Sequence, residues 1–91
     1  MHYLVHCLDK PGAGGLRKEH LPAHATYLKS RPIEIVMASP ILAEDEAVIG
    51  SFLVVEAGNK SEAEAFGAGD PYAMAGLFES VHINAWKRAI G

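Results

Sequence analysis

The chain is short of several things, and each shortage closes off a class of protein. It has one cysteine, Cys7, so an intramolecular disulfide is impossible and a disulfide-stapled secreted scaffold is excluded. Cys7 stands in an apolar run and reads as a buried, inert thiol. Positive charge is also scarce. Lys and Arg total 8 against 11 Asp and Glu, for a formal net charge of −3, and the basic residues are scattered. No basic patch offers itself to nucleic acid or to an anionic membrane. No apolar run reaches the roughly 20 residues that a membrane helix needs. The opening MHYLVHCLDK lacks a basic start and a long apolar stretch, so no signal peptide is expected and a cytoplasmic location is. The glycines of PGAGG (11–15) are not followed by GKS or GKT, and Ser39, Ser51 and Ser80 lack a G-x-S-x-G setting. Neither a nucleotide site nor an activated serine is expected.

What is present reads as one domain over 1–91. Hydrophobic residues make up 49% and charged residues 21%, an ordinary globular balance. A chain of this length buries only about 60–65% of the surface its unfolded form exposes. The core is therefore thin, and a second copy of the chain would extend it.

The segment from His2 to Leu8 is short, apolar and aromatic on both alternating faces, which predicts a central strand. A Gly- and Pro-rich loop follows. Leu16 to Ser30 has helical spacing, interrupted by Pro22, which removes a donor and crowds the Lys18 carbonyl. Either the helix kinks there or a second one begins. Ile33 to Ala38 predicts a strand, Ser39-Pro40 a turn, and the acidic residues 41–47 a hairpin connection. Val48 to Glu56 predicts a second strong strand. Lys60 to Ala68 predicts a helix with Ser61 as N-cap and Glu64 completing a capping box. A short helical turn ends at Gly76, and Leu77 to Lys87 predicts the last strand. On it Leu77, Val81, Ile83 and Ala85 share one face, and Phe78, Ser80, His82, Asn84 and Trp86 the other.

The order β-α-β-β-α-β is the ferredoxin-like α+β arrangement: a four-stranded antiparallel sheet, first and third strands central, with two main helices on one face. The other face needs a cover, and the row His82, Asn84, Trp86 suits a cleft or a dimer interface. Alternation offers His6, Ser39, His82 and Trp86 as cleft-lining candidates.

Five histidines are available for chemistry. His20 and His24 are spaced i, i+4, but Pro22 between them and the absence of an HExxH pattern argue against a metal pair. His2, His6 and His82 form a second conceivable cluster. No metal is expected at either. His24 is the better single candidate as acid or base, provided a carboxylate orients it. Asp70-Pro71-Tyr72 supplies one. Asp is a favoured N-cap and Pro a favoured first helical residue, so helix initiation explains the pair by itself. A capping carboxylate is also held rigidly, which suits it to orienting a histidine.

Taken together these stretches resemble the YciI-like (YCII-related) family over almost the whole chain. The resemblance runs through Asp9-Lys10, Arg17, Pro22-Ala23-His24 with Tyr27-Leu28, the Ser39-Pro40 step, the acidic Ala-rich helix, Asp70-Pro71-Tyr72, Ala75-Gly76-Leu77-Phe78-Glu79 and Trp86. Leu21 departs from it, standing where an Arg is common, and Ala25-Thr26 where Leu-Ala is common. The resemblance implies a dimeric α/β-barrel assembly through the open sheet face. It also implies a cleft where His24 and Asp70 meet as a catalytic pair. Arg17, Ser39, Tyr72 and His82 are the candidate substrate-binding residues. Relatives include dehydrochlorinases of chlorinated hydroxyquinols, and muconolactone isomerases share the fold group. The implied activity is cofactor-independent proton transfer on a small oxygenated ring, of lyase or isomerase type, in a homodimer. Two rival readings are a non-catalytic small-molecule-binding module and a haem- or oxygen-dependent enzyme of the same barrel type.

Overall fold

Alternation along the first strand decides which side of the sheet becomes the core. In the computed structural model, which describes residues 1–91, β1 spans His2–Asp9 and buries Tyr3, Val5 and Cys7 on one side. Helix α1 (Gly14–Lys29) follows, then strands β2 (Glu34–Leu42) and β3 (Val48–Glu56). Helices α2 (Lys60–Gly69) and α3 (Pro71–Met74) and strand β4 (Phe78–Trp86) complete the chain. The strand order is β2-β3-β1-β4 with every neighbour antiparallel, so the first and third strands are central as expected. This is the ferredoxin-like arrangement.

Register then fixes the faces. Tyr3 lies opposite Val55, Val5 opposite Leu53, and Cys7 opposite Ser51, all on the helix side. Ala63 and Phe66 of α2 complete the buried cluster, with Tyr27 and Leu28 of α1 packed against it. His6 lies opposite Phe52 on one side and His82 on the other, on the face without helices. No helix is long and apolar enough to cross a membrane.

Pro22 lies inside α1, which runs on as one helix past it, so of the two alternatives no second helix begins there. Three local expectations are corrected. Ser39-Pro40 is not a turn: β2 continues to Leu42, and as an edge strand it tolerates a residue without an N–H. The cap of α2 is Asn59, whose side chain accepts from the Glu62 N–H at 3.0 Å, while the Glu62 carboxylate accepts from the Gly58 N–H at 2.8 Å. Ser61 therefore sits two residues too late to cap, already inside the helix. Finally, β4 carries a bulge, because Leu8 pairs with Ser80 but Asp9 with Phe78. The extra residue, Glu79, turns Phe78 to the core side, where it packs against the buried cluster, as Ile83 does, rather than sharing a face with His82.

Candidate active site

Four residues of α1, Arg17, Leu21, His24 and Leu28, recur at helical spacing and form a stripe along one flank of the helix. The stripe faces Ala38, Ser39 and Pro40 of β2 and Val48, Ser51 and Leu53 of β3 across an open cleft of about 350 Å³, with Tyr72 of α3 at its floor. That volume suits a small organic molecule. The wall is mostly apolar, and the polar groups gather where α1 begins.

His24 and Asp70, 46 residues apart in sequence, meet behind this wall. The imidazole Nδ1 lies 2.9 Å from Asp70 Oδ1 and 2.8 Å from Oδ2, with side chains only 13% and 6% exposed. A carboxylate can only accept, so Nδ1 carries the proton and Nε2, which makes no hydrogen bond, is left as the ring's base. Asp70 also accepts from the Tyr72 N–H at 2.9 Å, capping α3 with Pro71 at its first position. Capping and orientation are thus performed by one carboxylate. The chain cannot place it elsewhere without undoing the helix start.

Tyr72 is fully buried and its ring stacks on His24, centroids 4.1 Å apart at 15°. The Arg17 guanidinium lies 4.6 Å from the centre of the same ring. Arg17 is gripped by Asp9 through Nε and Nη2, at 2.6 and 2.8 Å, and its Nη2 also donates to Ser51 Oγ at 2.9 Å. Burial opposes the charge on Arg17, but the hydrogen bond and charge of Asp9 outweigh it and hold the guanidinium above its ordinary pKa. Burial raises the Tyr72 phenol; Arg17 pulls it back, while Asp70 and Asp9 push with burial. Burial, aided by Asp70 and Asp9 and opposed by Arg17, lifts the Cys7 thiol to about 12, so it is no nucleophile.

The structure therefore brings together His24, Asp70, Arg17, Tyr72 and Ser39 of the expected residues. Ser39 borders the cleft beside Ala38 and Pro40, although its register opposite Phe52 puts it on the other face of the sheet. His82 is not brought in. It pairs with His6 on the helix-free face and lines a separate groove with Lys60, Glu64 and Asn84. His6 and Trp86 are also absent from the cleft lining. The cleft opens on the helix side, so the alternation that picked out these three selected the wrong face. Asp9 and Ser51, which hold Arg17, carry no site signal in the sequence, since their separations of 8 and 34 residues from it form no motif. No group of three or more potential ligands could hold a metal: His20 points to Glu19 at 3.8 Å, and His2 is engaged by Glu56 at 3.0 Å.

A family model described as the YCII-related domain matches residues 1–87. Among solved structures, the chain is similar to a 5-chloro-2-hydroxyhydroquinone dehydrochlorinase (TftG) from Burkholderia phenoliruptrix AC1100 in complex with 2,5-dihydroxybenzoquinone. The two are 32% identical, superpose with a TM-score of 0.89, and match over 98% of this chain and 96% of that one. That neighbour is an enzyme and it binds a small ring compound. No curated protein sequence matches significantly. A match spanning residues 1–87 shows that the chain belongs to the YCII-related family.

Proposed function

We propose that this protein is a small-molecule lyase or isomerase that moves a proton on an oxygenated ring, with His24 as base and acid and Asp70 as its orienting partner. The observation that carries the reading is the contact of 2.8 Å between His24 Nδ1 and Asp70 beside a cleft of about 350 Å³. The dehydrochlorinase neighbour supports a specific version: loss of HCl from a chlorinated hydroxyquinol.

That reaction balances without an external oxidant. His24 Nε2 takes a proton from a ring hydroxyl, and the carbon bearing chlorine gains a proton as the ring ketonises. Chloride then leaves with the C–Cl electron pair while a second hydroxyl gives up its proton. The net loss is HCl; the ring rises to the quinone level and the chlorinated carbon is reduced by the same amount. A single residue that alternates between base and acid fits both proton steps. Asp70 holds the tautomer and stabilises the imidazolium when it forms. A positioned acid–base group contributes about 10²- to 10⁴-fold. In this reading Arg17, Ser39 and Tyr72 line the substrate site, and a second copy of the chain covers the helix-free sheet face.

The test is Asp70→Asn. Asn caps a helix about as well as Asp, so the variant is expected to fold. Release of chloride from 5-chloro-2-hydroxyhydroquinone should fall by about 10²-fold or more. A folded variant with undiminished turnover would leave Asp70 as a cap only and favour a non-catalytic binding module.

A further inference from the structure

The apolar side of the cleft is longer than the chemistry at His24 requires. A single oxygenated ring has about ten heavy atoms, whereas a cleft of about 350 Å³ already lies in the range that takes drug-sized molecules. One turn beyond His24 along α1 the walls are Leu28, Ala38 and Leu53, with no charged side chain among them. The lining does not stop there. Leu28 and Ala38 also border a second, more open depression of about 400 Å³, whose other walls are Ile35, Met37, Lys29 and Arg31. Two depressions that share two side chains form one trough, which starts beside the acid–base pair and continues past the end of the first cleft.

Exposure singles out the same trough. Leu21 and Val48 in the first depression and Met37 in the second are 51%, 39% and 37% exposed, large apolar side chains left in contact with water. Scattered exposed apolar residues need no explanation, but a contiguous apolar lining that leads away from a candidate reaction centre points to a ligand. Helical rise sets the reach: Leu28 lies about 6 Å beyond His24 along α1, a distance that an alkyl chain of about five carbons spans. We propose that the substrate's ring carries an alkyl substituent of about this length, which passes between Leu28 and Ala38 into the second depression. This rests on the acid–base reading above, which places the ring at His24, and adds the class of substrate: hydroxyquinol-type rings with an apolar side chain.

The experiment measures binding of 2,5-dihydroxybenzoquinone, the neighbour's ligand, and of its pentyl-substituted derivative to the wild type and to Ala38→Leu. Burying one methylene is worth about fourfold in affinity. Half-burial in an open trough, less the cost of ordering the chain, should leave the wild type preferring the pentyl compound by about tenfold or more. Ala38 is exposed on the edge strand β2, so a larger side chain there is expected to fold, and it narrows the passage at Leu28. The ratio of the two affinities should then drop to about threefold or less in Ala38→Leu. Should that variant fail to fold, Ala38→Val, β-branched and suited to a strand, makes the same comparison. A wild type with no pentyl preference, whether it binds both compounds or neither, would overturn the inference, as would a ratio unchanged in the folded variant. Chloride release is not part of this readout. Undiminished turnover in Asp70→Asn would defeat the acid–base reading, and the pentyl preference would still decide this inference by itself.

Discussion

Asp70 shows how much one side chain can be asked to do. It terminates α2, caps α3 through the Tyr72 N–H, and holds His24. The first two roles are what Asp-Pro means in any sequence, and the third needs the fold. Its presence was legible because Pro22-Ala23-His24 and Asp70-Pro71-Tyr72 occur together in a recognisable order; the contact between them was not, since nothing local encodes a separation of 46 residues. Cys7 gives a second prediction at this scale. Its folded pKa is raised from 9.0 to about 12, so the neutral thiol contributes stability in full below the unfolded pKa. That contribution is lost as pH climbs between the two values. Tyr27 and Tyr72, also raised by burial, lose stability at alkaline pH in the same direction. Urea midpoints measured from pH 8 to 11 should fall with pH, and Cys7→Ala should flatten part of the slope. The native thiol should resist labelling at pH 8 and react once unfolded.

At the level of elements, the order of strands and helices was readable because each has its own period, and the errors fall where backbone geometry overrides composition. Ser61 looked like the cap because Glu64 follows it, yet α2 begins early enough for Asn59 to reach the Glu62 N–H. Asn59→Ala should cost about 1 kcal/mol in chemical denaturation, and Ser61→Ala close to nothing. Ser39-Pro40 looked like a turn because Pro usually ends a strand; on the edge strand β2 it does not. The bulge at Glu79 left no signature in the alternation and moved Phe78 across the sheet. Gly50 offers a sharper test of strand packing. A Cβ there would lie 2.3 Å from the Cys7 carbonyl oxygen of β1, backbone that cannot swing aside. Gly50→Ala is expected to destabilise by about 3 kcal/mol, seen as a marked drop in Tm.

The whole molecule is a sheet with helices on one face only, and the cleft lies where α1 stands off from β2 and β3. The helix-free face carries Leu4, His6, Phe52, Val54, His82 and Trp86. Under the proposal that a second copy covers it, a stable interface would bury roughly 1,000 Å² or more in total. Light scattering should give twice the chain mass, and Phe52→Glu should give a monomer; a wild-type monomer at tens of micromolar would contradict the proposal. Alternation along β4 revealed this face but could not say that the cleft would open on the opposite one. That depends on how far α1 stands from the sheet, a tertiary quantity.

The central claim is that His24 and Asp70 act as one acid–base unit, and the most direct test is the single-turnover rate of chloride release from 5-chloro-2-hydroxyhydroquinone by wild-type and Asp70→Asn protein side by side. Release by the wild type is expected, with a rate lower by about 10²-fold or more in a folded Asp70→Asn variant. Equal rates in the two proteins, or no release by the wild type, would contradict it.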